Sequence, residues 1–262
     1  MAPSSHSDRA ALVGRLRAAG CVYAEDEAEL LLAAAHSPAA LADLTDRRVA
    51  GEPLEYLLGW AEFCGLRIAV DEGVFVPRTR TALLVELAAE LTGVAPAVVD
   101  LCCGSGATTV ALAHRLAPRW LAAADIDPAA VACARRNVVG LNVEVYEGDL
   151  FAPLPPRWRG RLDLVVANAP YVPTDAVALM PPEARLHEAP VALDGGPDGL
   201  SVLRRVGADA AGWLAPGGHL VVEAGTTQVD TLCDAFRAAG LLPTVRHDGD
   251  LDATAVTARR PG

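Results

Sequence analysis

A chain of 262 residues that is 52% hydrophobic and 21% charged can bury a sizeable core, which excludes a disordered or fibrous class and leaves room for one α/β domain plus a smaller unit. The formal net charge of −11 argues against a nucleic-acid partner held through its phosphates. The nearest basic run, Arg157-Trp158-Arg159-Gly160-Arg161, is short, sits beside Pro-rich sequence and reads as a solvated loop.

Residues 8–50 read as helical. Leu12, Leu16 and Ala19 recur at helical spacing, Ala28, Leu31, Leu32 and Ala35 form a second apolar face, and His36-Ser37-Pro38 separates that helix from a third. Gly51-Glu52-Pro53 ends the block. Between Ala61 and Pro77 the pattern turns extended: Phe63, Leu66, Ile68 and Val70, the turn Asp71-Glu72-Gly73, then Val74-Phe75-Val76. A β-hairpin linker is expected there. From Ala82 onward helix and strand alternate. Strands are expected at Ala97–Leu101, Leu121–Asp125, Val143–Tyr146, Leu162–Ala167 and His219–Glu223, with helices at Thr108–Leu116, Pro128–Asn137 and Leu200–Leu214. Apolar strands alternating with crossover helices imply a doubly wound, mostly parallel sheet. Leu241–His247 and Ala253–Ala258 add a terminal antiparallel pair. The organisation expected is a helical segment 1–60, a hairpin linker 61–77 and a catalytic domain 78–262.

The six cysteines, at 21, 64, 102, 103, 133 and 233, contain no CxxC pair, so no metal site is expected. No secretory pattern and no apolar run of about 18 residues is present, and a cytoplasmic protein without a membrane span is the expectation.

The strand 97–101 ends in Asp100 and Leu101 and runs straight into Cys102-Cys103-Gly104-Ser105-Gly106, where a helix opens. Glycines let backbone approach a ligand closely, and the carboxyl edge of an open α/β sheet is where ligands bind. A dinucleotide fingerprint needs a third glycine three residues after Gly106, and Thr109 stands there. An acid just before the glycines suits a cationic ligand better than a phosphate. The cofactor expected is therefore S-adenosyl-L-methionine rather than NAD. Asp125 ends the next strand and is placed to accept from ribose hydroxyls, while Asp127 caps the following helix before Pro128. Asp149, in Glu147-Gly148-Asp149-Leu150, follows the third strand and can meet adenine. The expected cofactor set is Asp100, Cys102, Gly104, Gly106, Asp125, Ile126, Asp149, Leu150 and Asn168.

After strand 162–167 comes Asn168-Ala169-Pro170-Tyr171. An amide or aniline-like nitrogen is a poor nucleophile because its lone pair is delocalised. Acceptors on its N–H groups return density to nitrogen and aim the lone pair at an electrophilic methyl, so the gain comes from positioning and preorganised dipoles. Asn168 offers one acceptor through its side-chain oxygen, the Ala169 carbonyl a second, and Tyr171 a surface for a planar group. These four residues are the expected catalytic set. Glu183 and His187 are candidates to face a substrate cleft.

Taken together, these motifs resemble the HemK/PrmC-type protein-(glutamine-N5) methyltransferases, which modify the glutamine of the Gly-Gly-Gln motif in peptide chain release factors. The resemblance extends through Gly51-Glu52-Pro53-Leu54-Glu55-Tyr56-Leu57-Leu58-Gly59, Glu62-Phe63-Cys64-Gly65-Leu66, Val74-Phe75-Val76-Pro77-Arg78, and the stretch from Glu183 through His187-Glu188-Ala189-Pro190 to Asp194-Gly195-Gly196-Pro197-Asp198-Gly199. It implies a class I S-adenosylmethionine-dependent methyltransferase fold, Rossmann-like, with a small helical N-terminal substrate-docking domain and a protein partner bearing the acceptor glutamine. It also implies substrate contacts at Phe75, Pro77, Arg78, Asn168, Ala169, Pro170, Tyr171 and Glu183.

Two positions depart from that pattern. Ala169 replaces the first proline of Asn-Pro-Pro-Tyr, but Pro170 still restricts the residue before it to extended backbone, and a carbonyl contribution survives. Thr79-Arg80-Thr81-Ala82 stands where the family has Pro-Glu-Thr-Glu, removing two carboxylates and adding a cation. A paralogue acting on another glutamine-bearing protein stays open, as does an enzyme methylating the exocyclic amine of a nucleic-acid base or a cofactor-binding protein without turnover.

Overall fold

The structure, a computed structural model, describes residues 6–262; the first five residues of the expected segment 1–60 lie outside the described residues. Three helices, α1 (His6–Ala18), α2 (Ala24–Ala34) and α3 (Pro38–Val49), pack around Leu12, Leu16, Ala24, Ala28 and Leu31. The break before α3 is chemical. The Ser37 hydroxyl accepts from Ala40 N at 3.1 Å and Pro38 takes the first helical position, where its missing N–H costs nothing. A single turn, α4 (Leu54–Leu58), ends at Gly59.

The hairpin lies elsewhere than expected. Strands β1 (Trp60–Phe63) and β2 (Leu66–Ala69) pair antiparallel, with Phe63 opposite Leu66. Cys64 and Gly65 close the turn at φ of 51° and 73°. Two successive left-handed residues are what a tight hairpin of native twist demands. Asp71-Glu72-Gly73 does turn the chain, Val74 N donating to Asp71 O at 3.1 Å, but 74–76 forms no strand. Val74 and Val76 instead pack with Tyr56, Ala61, Val70, Ala130 and Cys133, so their apolar side chains are already occupied.

Beyond the hairpin come α5 (Ala82–Leu91), β3 (Ala97–Leu101), α6 (Ala107–Leu116), β4 (Trp120–Asp125), α7 (Pro128–Asn137), β5 (Glu144–Glu147) and β6 (Leu162–Ala167). Three short helices follow, α8 (Thr174–Val177), α9 (Pro182–His187) and α10 (Pro190–Leu193). The chain ends with α11 (Ser201–Trp213), β7 (Leu214–Glu223), α12 (Val229–Ala238), β8 (Leu242–Asp248) and β9 (Ala253–Arg259). The sheet runs β5-β4-β3-β6-β7-β9-β8. Its first five strands are parallel and β9 is antiparallel to both neighbours. This is the doubly wound α/β sheet expected from the sequence.

Alternation along the strands divides the core. Val99, Leu101, Val165, Ala167 and Val222 face α11 and α12, packing with Leu203, Val206 and Phe236. Val98, Leu164, Val166 and Val221 face α5 and α6, packing with Leu84, Leu87 and Leu112. Each fully buried Leu or Val contributes roughly 1.5–3 kcal/mol. Register then fixes the site. Leu101 is paired with Ala124 on one side and Ala167 on the other, and Ala167 with Val222. Cys102, Asp125, Asn168 and Glu223 therefore leave the sheet at one level, on either side of the point where strand order reverses, between β3 and β6.

Candidate active site

A cavity of about 240 Å³ opens at this carboxyl edge. Its walls include Asp100, Cys102, Gly104, Asp125, Ile126, Asp149 and Leu150 at one end. Asn168, Ala169, Pro170 and Tyr171 form another part, with Phe75, Pro77 and Arg78 beside them. All but three of the residues expected from the sequence thus meet in one space.

At the loop end, Asp100 is 2% exposed and its Oδ2 accepts from the Thr109 hydroxyl at 2.5 Å. The residue standing where a dinucleotide site has glycine is used here as a donor to the strand-ending acid. Burial pushes the Asp100 carboxyl up to about 7, with the Asp125 charge adding to the rise and the Thr109 bond opposing it. Asp125 takes the Gly104 N–H on Oδ2 at 2.8 Å and the Asp127 N–H on Oδ1 at 3.0 Å, and burial raises its pKa too. Asp127 caps α7 through Ala129 N, which leaves the Asp125 carboxylate with lone pairs to spare. Cys102 and Leu150, both on the wall, hold φ of 55° and 49°, left-handed values that non-glycine residues adopt at a cost. The Cys102 and Cys103 thiols are both pushed up by burial, so neither is a poised nucleophile.

This donor set fits S-adenosyl-L-methionine. Asp100, desolvated and singly bonded by a side chain, gains from an adjacent cation. Asp125 can accept from two vicinal hydroxyls, and Ile126 and Leu150 offer apolar surface to an adenine. Asp149, expected to meet the base, is itself ion-paired with Arg205 of α11 at 2.5 Å.

At the tetrapeptide end, Asn168 Nδ2 donates to Thr81 Oγ1 at 3.1 Å. The Tyr171 hydroxyl donates to Glu223 Oε1 at 2.8 Å and accepts from Arg80 Nη2 at 2.9 Å. Burial and the neighbouring Glu223 push that phenol up to about 12, so Tyr171 is no base at neutral pH. The segment is backed closely by 195–199: a Cβ on Gly199 would stand 2.2 Å from Tyr171 O, and one on Gly195 2.7 Å from Pro170 O. The Arg78 guanidinium lies 4.9 Å over the Phe75 ring and donates to the buried Glu188 at 2.5 Å.

Three expected residues, Gly106, Glu183 and His187, do not line the cavity. Gly106 opens α6 at φ 80°, and a Cβ there would lie 3.1 Å from Ala134 Cβ; its smallness serves the contact of α6 with α7. Glu183 is paired with Arg48 of α3 at 2.5 Å, because α9 turns it toward the helical segment. His187 ends α9, and its backbone oxygen accepts from the Tyr56 hydroxyl at 3.4 Å. Four residues were not expected in the site: Arg80 and Thr81, read only as a departure from the family pattern, and Arg205 and Glu223, not singled out at all. Glu223 carried a usable signal, since an acid ending an apolar strand, as in His219-Leu220-Val221-Val222-Glu223, repeats the pattern of Asp100 and Asp125. Among the described residues no group of three or more His, Cys, Asp or Glu is gathered to hold a metal, and no helix is long and apolar enough to cross a membrane.

An open sheet of this strand order, with an acid–glycine-loop–acid arrangement at its switch point, defines a class I S-adenosylmethionine-dependent methyltransferase. Solved structures of the same fold include a methyltransferase from Pyrococcus furiosus, 16% identical, covering 76% of this chain and 91% of that one at a TM-score of 0.58. Another is the T. thermophilus 16S rRNA N2 G1207 methyltransferase in complex with AdoMet and guanosine, 20% identical, covering 77% of this chain and 49% of that one at 0.55. The methyltransferase small domain family model matches residues 66–205. A release factor glutamine methyltransferase of Mycolicibacterium smegmatis is 41% identical over 261 residues, 91% of each chain. One from Geobacter sulfurreducens is 42% identical over 204 residues, 77% of this chain and 71% of that one. The chain belongs to the release factor glutamine methyltransferase family.

Proposed function

We propose that the enzyme methylates N5 of a glutamine side chain in a peptide chain release factor, within its Gly-Gly-Gln motif. The observation that carries this reading is the convergence, in one cavity, of the Asp100–Asp125 end with an amide acceptor, Asn168, beside a Tyr171 that cannot act as a base. Such a site suits an acceptor nitrogen that must be aimed rather than deprotonated first.

S-adenosyl-L-methionine, when bound, supplies a methyl carbon made electrophilic by its sulfonium; the amide lone pair forms the N–C bond, the C–S pair stays on sulfur, and the surplus N–H proton leaves to water. The protein's part is orientation. Asn168 Oδ1 and the Ala169 carbonyl accept from the two N–H groups of the substrate amide, drawing density onto nitrogen. Tyr171 packs on its planar face and Phe75 closes the cavity. Asp100 holds the cationic end of the donor, Asp125 its ribose, and Asp149, steered by Arg205, the base. Residues 1–60 serve as the substrate-docking domain, 61–77 as the linker and 78–262 as the catalytic domain. Six unpaired cysteines fit a cytoplasmic setting.

The test combines the purified protein, methyl-labelled donor, cognate release factors, and a lysate with and without nuclease or protease. Label on a release-factor glutamine, absent with Asn168→Ala, is the expected result. Label on another protein with release factors untouched would make this a paralogue with its own substrate. Nuclease-sensitive label would move the acceptor to a base amine.

A further inference from the structure

We propose that Glu223 and Thr81 are positioning residues that set which way the Asn168 amide points, through hydrogen bonds whose proton directions permit one orientation. The inference deepens the reading above and rests on it for the identity of the acceptor nitrogen.

The chain of bonds starts at Glu223, whose side chain is 4% exposed at the end of β7 and ion-paired with Arg80 Nε at 2.8 Å. A carboxylate only accepts. Its Oε1 takes Arg80 Nε–H and the Tyr171 hydroxyl, and its Oε2 takes the Thr81 hydroxyl at 2.6 Å. Thr81 has one hydroxyl proton, and that proton is committed. Toward Asn168, 3.1 Å away, its oxygen can therefore only accept. The Asn168 group facing it must be the NH₂. A flipped amide would set Oδ1 against a hydroxyl oxygen with no proton between them, losing a bond and opposing two lone pairs in a partly buried place. Oδ1 is thereby left as the free acceptor, the group that an incoming substrate amide needs.

The same network explains why the acid is tolerated. Arg80 neutralises Glu223 and fixes the Tyr171 phenol by donating Nη2–H to its oxygen, so each proton in the circuit has one place to be. Sheet register makes this possible, since Ala167 is paired with Val222 and the next residues, Asn168 and Glu223, emerge side by side. Thr81, 4% exposed, enters between them from the turn before α5.

Two readouts on the full-length protein test the proposal. The first needs no acceptor: in a ¹⁵N,¹³C-labelled sample, the Asn168 NδH₂ protons, assigned by their loss in Asn168→Asp, should show nuclear Overhauser contact with the Thr81 methyl. Their exchange with water should quicken about fivefold or more in Thr81→Val. The second is kinetic. Thr81→Val, which keeps the shape and removes the hydroxyl, should lower kcat for release-factor methylation about 10- to 100-fold while donor Kd by calorimetry stays within about twofold. Thr81→Ser should recover most of the loss. An Asn168 amide with no contact to Thr81, or unaltered exchange and kcat in Thr81→Val, would overturn the relay. If wild type methylates no release factor, the proposed substrate fails, and the amide spectrum alone decides the relay.

Discussion

Arg48 of α3 reaches 135 residues along the chain to Glu183 of α9, its Nη1 lying 2.5 Å from Glu183 Oε1, while its Nε and Nη2 hold the buried Glu27. The helical segment and the loops that follow Asn168-Ala169-Pro170-Tyr171 are thus fastened by one guanidinium. The two ends of that fastening are unequal. Arg48 is 7% exposed and Glu183 about half.

Arg48→Ala strands the Glu27 charge in the interior and should cost about 3–5 kcal/mol, read as a lower midpoint in urea. Glu183→Ala removes a solvent-exposed partner and should change folding by less than about 1 kcal/mol. It frees α9 from the helical segment, so KM for the protein acceptor should rise while donor Kd holds.

Donor binding should depend on pH through Asp100. Its free-state pKa is about 7, and a bound cation favours the carboxylate, so below pH 7 binding must expel a proton. Affinity is expected to be level above pH 8 and to weaken progressively, approaching tenfold per unit, from pH 7 to 5. Calorimetry in buffers of different ionisation enthalpy would also report the proton released.

The same carboxyl costs stability. An acid whose pKa is higher folded than unfolded keeps its proton longer in the folded state, so its penalty grows as pH rises from about 4 to 7 and is complete above. Asp100→Asn removes the charge and can still accept from Thr109. Its melting temperature should exceed that of the unliganded wild type by a few degrees at pH 8, the gap closing toward pH 5, while donor binding is lost. A wild-type protein as stable as Asp100→Asn at pH 8 would contradict the desolvated-acid reading.

Most of the sheet was legible because its strands are short apolar runs ended by acids or glycines, and such runs have few alternatives. Asp127-Pro128 marked a helix start through cap chemistry that is local, and His36-Ser37-Pro38 marked the break before α3. The hairpin was misplaced because Phe63, Leu66, Ile68, Val74 and Val76 offer apolar residues to two turns equally. Only tertiary packing decides that Val74 and Val76 join the Tyr56 cluster. Helices α5 and α12 were not singled out by their residues, α5 because Leu83, Leu84, Val85, Leu87 and Ala88 bury too much of its circumference to show one face. In the site, Asp100, Asp125 and Asn168 announced themselves by position at strand ends. Thr81 and Arg205 could not, because their roles arise from partners 87 and 56 residues away.

Ala169→Pro restores the family tetrapeptide. Ala169 is 1% exposed, and Pro170 already holds its backbone extended, so the carbonyl should not move. The kcat should stay within about threefold of wild type, since no bond in the relay is altered. A large gain would mean that alanine leaves the native loop too loose.

The decisive measurement is methyl transfer from labelled donor to a cognate release factor by wild type and Asn168→Ala, with donor Kd taken for both. Loss of about 100-fold or more in kcat with donor binding unchanged is the predicted result, because one acceptor aimed at the reacting nitrogen is removed. Methylation of the release-factor glutamine at an undiminished rate by Asn168→Ala would contradict the assignment of the amide-orienting role to this residue.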